Sequence, residues 1–101
     1  MSYRETSSWN KRNELQCLLI FKKLQKDKFR RGLQIDYSRT LATQTNLDAG
    51  SISAKVCNYK SVAGVNTDSN ASSNTKDIYK QYGHLSIQEL TNIMNSEDDM
   101  Q

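Results

Sequence analysis

Histidine is almost missing from this chain: His84 is the only one among 101 residues, and Cys17 and Cys57 are the only thiols. His84 is remote in sequence from both cysteines, so no zinc-ligand spacing exists and no metal or other cofactor is expected. Neither cysteine has a nearby histidine to activate it, and there is no Gly-rich phosphate loop. The carboxylate pair Asp98–Asp99 falls in an acidic tail. These absences remove the common catalytic constellations, and the chain is expected not to be an enzyme. Long apolar runs are lacking too. "LQCLLIF" is far short of the roughly 18 residues that a membrane span needs, and "MSYRETSSWNKRNEL" has no apolar segment of the secretory kind. The expectation is a cytoplasmic protein with no membrane partner. Both cysteines are then expected to be free and buried in apolar helical patterns.

What is present suits one small domain. Only 36% of the residues are apolar and 25% are charged. The net charge of +3 conceals an asymmetry. Residues 1–60 hold 12 Lys and Arg against five acids, a balance of +7; residues 61–101 hold two against six, a balance of −4. A basic half beside an acidic one points to an anion-binding surface, although a solvated surface of uneven composition has the same totals.

The apolar periodicity predicts about five helices and no β-hairpin. The first spans about Trp9 to Lys26, with Ser7 or Ser8 as its cap. It is apolar on two sides (Asn13, Cys17, Ile20, Phe21 and Leu24 against Leu15, Leu18 and Leu19), as a central helix is. Its terminal lysines suit the helix dipole, a structural reason for part of the charge. "DKFRRGLQI" reads as a connection turning at Gly32. Asp36 would cap a short second helix, "YSRTLATQT". In "NLDAG", Asn46 would supply a left-handed turn and Leu47 would plug the corner. The third helix would run from Asp48–Ser51 to Tyr59, with Ile52, Val56 and Tyr59 inward. A polar loop covers 64–75. A fourth helix opens near Asn74 or Thr75 and stops at Gly83. A fifth, "SIQELTNIM", opens with the capping box Ser86 and Glu89. Residues 1–8 read as a flexible N-terminus, 9–95 as the helical domain and 96–101 as an acidic tail or linker.

Helices two and three, joined by "TNLDAG", have a helix-turn-helix layout. Ala42 is the small residue where the helices cross, and Leu47 and Ile52 fall at inward positions. The next inward residue, Val56, comes one position later than the usual spacing. The third helix carries small, polar and cationic residues with no carboxylate among them. Ser51 and Ser53 could meet phosphates or base edges, Lys55 could reach guanine acceptors, and Asn58 could pair with adenine. Asn58 has the competing role of satisfying the helix end. Arg39, Lys60, Lys28, Arg30 and Arg31 would supply phosphate contacts, or serve only as solubilising charges.

"SISAKVCNYKSV", followed by a polar loop and "DIYKQYGHLSIQEL", resembles the N-terminal DNA-binding region found ahead of HNH nuclease domains in phage and mobile-element proteins. The matching residues are Ser51, Lys55, Val56, Asn58, Tyr59, Ser61 and Val62, with Trp9 at the opening of the first helix. The resemblance covers most of residues 9–92 and departs from the family pattern at "NLDAG", before the serine. It implies an all-α, compact helix-turn-helix or winged-helix-like domain that binds double-stranded DNA in a sequence-directed way. Such a module would target a replication initiator or a nuclease whose catalytic domain is absent from this chain, or act alone as a repressor. A homodimer would suit a repeated site. The competing expectation is a protein-protein interaction module, with Trp9, Tyr79, Tyr82 and the fifth helix forming an exposed aromatic groove. RNA binding through stacked tyrosines lacks the strand context of common RNA readers.

Overall fold

Helix α1, Lys11–Lys26, is the element on which the others assemble. Its Leu15, Cys17, Leu18, Ile20, Phe21 and Leu24 are all buried, a distribution that goes most of the way round the helix. The computed structural model describes residues 9–64 and 73–99, with side chains through residue 95. Around α1 lie α2 (Leu33–Ala42), α3 (Ala49–Val62), α4 (Ser73–Tyr82) and α5 (Ile87–Asp99). Each of the four packs against α1, while α3 also packs against α2 on one flank and α4 on the other. The fold is all-α, with no strand among the described residues. A wing of β-structure is therefore absent there.

Local chemistry sets the helix ends. Asn10, not Ser7 or Ser8, caps α1, its side chain accepting from the Asn13 amide at 2.8 Å. Asp48 caps α3 as expected, accepting from the Ser51 amide at 2.7 Å. The capping box at α5 forms: Ser86 Oγ accepts from the Glu89 amide, and Glu89 Oε1 accepts from the Ser86 amide, both at 3.1 Å. The Ser86 amide, donating to the carboxylate, is the main reason the Glu89 carboxyl is held below its ordinary pKa, and the Ser86 side chain adds to it.

Four expectations are corrected. Helix α2 begins four residues before Tyr37, so Asp36 lies inside its first turn, and it ends at Ala42 rather than Thr45. Gly32 precedes it with φ +91°, a conformation that glycine adopts without a Cβ clash. The left-handed backbone expected at Asn46 occurs instead at Lys28 and Phe29. Helix α5 continues to Asp99, through part of the expected tail. Residues 1–8 and most of the polar loop lie outside the described residues.

Leu47 plugs the corner between α2 and α3 and is buried with Leu41 and Ile52. Phe21 is central, its ring 6.0 Å from that of Phe29 and 6.4 Å from that of Tyr79. The cysteines differ from expectation. Both are free, but Cys17 is buried whereas Cys57 is exposed on α3. Burial pushes the Cys17 thiol up to about 12 from 9.0, with the Glu14 carboxylate adding to the rise.

Two tests address this core. Phe21→Ala should lose about 3–5 kcal/mol of unfolding free energy in a urea titration, from lost burial plus the cavity left behind. The Cys17 thiol is held protonated in the fold but ionises earlier in the unfolded chain. Stability should therefore fall as pH rises from 9.0 towards about 12, the window between the two values. Cys17→Ala should remove that part of the alkaline loss in melting curves taken across the window.

Candidate nucleic-acid interface

A single carboxylate on the apolar side of α1 organises the inner surface of α3. Glu14 is 1% exposed and lies among Leu15, Cys17, Leu18 and Phe21. A lone charge there would be prohibitive, and three partners meet it. Lys55 Nζ donates to Glu14 Oε1 at 2.9 Å, and the lysine side chain is 12% exposed. Tyr59 Oη donates to Glu14 Oε2 at 2.5 Å. Thr75 Oγ1, from α4, lies 3.2 Å from Glu14 Oε1 and accepts from Lys55 Nζ at 3.0 Å. The Trp9 ring closes the cluster, with the Lys55 ammonium 4.5 Å from its centroid.

This geometry corrects the outward position expected for Lys55. It lies on the flank of α3 that faces α1 and α4, one helical turn from Tyr59. The expected aromatic groove is corrected as well. Tyr82 is buried, and Trp9 and Tyr79 are partly buried against the core. The large apolar side chain left exposed among the described residues is Ile35, at 53%.

The outer stripe of α3 consists of Gly50, Ala54, Cys57 and Ser61, spaced by four, three and four residues. Gly50, Ala54 and Cys57 are exposed and Ser61 is half-buried. Asn58 flanks this stripe on one side. It is half-buried, and its side chain makes no hydrogen bond among the described residues. Ser51 lies at the N-terminal end, where its hydroxyl donates to Asp48 Oδ2 at 3.2 Å. Ser53 and Lys60 occupy the opposite flank, beside α2.

Gln34 joins that flank to α2. Its Nε2 donates to Ser53 Oγ at 2.8 Å and to the Ser53 carbonyl at 3.1 Å, and lies 3.3 Å from Cys57 Sγ. Its Oε1 accepts from Lys60 Nζ at 2.5 Å. The Lys60 ammonium also lies 5.3 Å from the centre of the Phe29 ring. Sequence reasoning missed Gln34 because it placed residues 33–35 in a connection. The signal was its position seven residues before Leu41, the helical repeat that brings both to one face.

The structure thus groups Ser53 and Lys60 with the turn that carries Lys28, Arg30 and Arg31. Those three residues are exposed, as is Arg39 on α2, and none of the four forms an ion pair among the described residues. Asp27 and Asp36, also exposed, are the acids nearest to the turn in sequence.

No family model matches the chain, and no curated protein or solved structure does either. The described residues also hold no group of three or more His, Cys, Asp or Glu able to bind a metal, and no helix of the described residues is long and apolar enough to cross a membrane.

Removal of one member of the buried pair should be costly, because the other charge is stranded. Lys55→Ala is expected to lose about 3–5 kcal/mol in chemical denaturation. The double change Glu14→Leu with Lys55→Met removes both charges and keeps apolar volume. Its loss should be smaller than that of Lys55→Ala alone and than the sum of Glu14→Leu and Lys55→Met made singly; an additive cycle of those three variants would contradict the pairing.

Proposed function

We propose that this domain binds double-stranded DNA, with the outer stripe of α3 seated in the major groove. The observation that carries this reading is the pairing of two surfaces. One is a small-residue helical stripe without carboxylates. The other is the neighbouring set of exposed cations, Lys28, Arg30, Arg31 and Arg39, which form no ion pair among the described residues. A duplex needs both: a narrow helix face that can approach base edges, and positive charge where the phosphates run. Gly50, Ala54 and Cys57 allow the close approach. Asn58 supplies an amide able to make two hydrogen bonds to adenine, whereas the Ser51 hydroxyl is taken up by the Asp48 carboxylate that caps this end of α3.

In this reading Lys55 contributes by fixing α3 in place rather than by touching a base. Arg39, Lys28, Arg30, Arg31 and Lys60 contact phosphate, and Ser53 is a bridge to Gln34. The module is non-catalytic and cytoplasmic. It would direct a phage or mobile-element initiator or nuclease to its site, or occupy an operator as a repressor, and two copies would suit a two-fold repeated sequence.

Anisotropy titration with a random duplex pool, followed by selection, tests the reading. Wild-type binding should weaken steeply with salt, and Ala54→Glu should reduce affinity at least about tenfold, since a like-charged side chain would enter the groove. Ala54 is exposed, so melting temperature should hardly change. Asn58→Ala should relax the selected motif at one position, at a cost of about 1–3 kcal/mol in discrimination. Duplex should also slow alkylation of Cys57. Full affinity in Ala54→Glu together with unprotected Cys57 would remove α3 from the interface.

A further inference from the structure

We infer that the turn between α1 and α2 is a phosphate clamp for duplex nucleic acid, in which a lysine is kept where the fold itself favours glycine; this rests on the DNA-binding reading above. Helix α1 ends in a Schellman motif. The Phe29 amide donates to the Leu24 carbonyl at 2.7 Å and the Lys28 amide to the Gln25 carbonyl at 3.1 Å. The residue in the left-handed position of such a motif is usually glycine, because a Cβ there is strained. Helix α3 follows that preference with Gly64 at φ +85°, its amide donating to the Ser61 carbonyl at 3.1 Å. Helix α1 does not. Lys28 occupies the equivalent position at φ +58°, and Phe29 follows at φ +57°.

Two consecutive non-glycine residues in this region hold a conformation that the local backbone disfavours. Packing maintains it, since the Phe29 ring lies against Phe21 and beneath the Lys60 ammonium. The outcome is a fixed ridge rather than a loose loop. Exposed Lys28, Arg30 and Arg31 stand on it, and Lys60 stands at its edge with one of its three N–H groups committed to Gln34. Through Gln34 the ridge is joined to Cys57 on the outer stripe of α3. A helix in the major groove is bordered by phosphate backbone, and the ridge is where that backbone would run. Phosphodiester oxygens are therefore its ligand, recognised by charge and by the fork geometry of arginine, independently of sequence.

The test measures salt-dependent binding of the full chain to a short random-sequence duplex. The four ridge cations together with Arg39 give a slope of log K against log salt of about −4.5. Arg30→Ala with Arg31→Ala should bring it to about −2.7 while leaving the order of preference among sequences intact. Lys76→Ala with Lys80→Ala, on α4, should leave it unchanged. Lys28→Gly is the decisive variant, because its two readouts move in opposite directions. Relief of the left-handed strain should raise the melting temperature by roughly 4–8 °C. Loss of one phosphate contact should shrink the slope by about 0.9. A purely structural turn would give the first change without the second. If the arginine double variant keeps the wild-type slope while duplex binding persists, the clamp is wrong and the reading of α3 stands. If the wild type fails to bind duplex, both fall. Arginine-dependent binding to phosphatidylserine vesicles, without duplex binding, would reassign the ridge to a lipid surface and overturn the clamp.

Discussion

A carboxylate cannot be buried alone, and that constraint governs how this chain assembles. Glu14 lies on the apolar side of the central helix, so its charge must be met from elsewhere. The lysine, the tyrosine and the threonine that meet it come from two other helices. Burial of Ile52, Val56 and Tyr59 gives α3 its inner face, and the short ion pair narrows the rotation further: Lys55 is sent inward and Gly50, Ala54 and Cys57 are left outward. The identity of the outer stripe follows from a contact on the other side of the helix.

The same logic accounts for how much was legible in the sequence. Periodicity located α1, α3 and α5 because their apolar residues recur at helical spacing, and Asp48 and Ser86 are recognisable caps of α3 and α5. It placed α2 four residues late because Gln34 and Asp36 are polar in a stretch flanked by charge, and polar residues at a helix–helix contact do not register as core. Lys55 was given an outward position because lysine is normally solvated. The clue to the contrary was Glu14, an acid three and four residues from Cys17 and Leu18, on a face that otherwise reads as buried. A lone acid on such a face requires a cation somewhere, and only the tertiary fold reveals which one. Cys57 was misplaced for the mirror reason. A cysteine reads as apolar, yet the Lys55 contact turns its position outward.

The candidate surface was legible as charge and not as shape. The balance of +7 in residues 1–60 indicated an anion partner, but part of it belongs to internal work. Lys55 neutralises Glu14, Lys22 donates to the Gly83 carbonyl at 2.6 Å, and Lys23 lies over the Tyr37 ring at 5.6 Å. What remains outward is more localised than the total implies. Lys28, Arg30 and Arg31 collect before the start of α2, next to the flank of α3 joined by Gln34, with Arg39 in the last turn of α2. Trp9, Lys55 and Tyr59, three of the residues singled out in the sequence, lie in the inner cluster and hold α3 in place, so what α3 presents outward depends on the residues beside them.

Trp9 gives this arrangement an optical consequence. It is the only tryptophan in the chain, and the Lys55 ammonium lies over its ring. Selectively excited emission from the protein therefore comes from one indole at the junction of three helices. Its wavelength reports whether the ammonium is seated against the ring and whether α4 still covers the cluster. Departure of α3 from α1 would unseat the ammonium from the ring and change the colour of that signal.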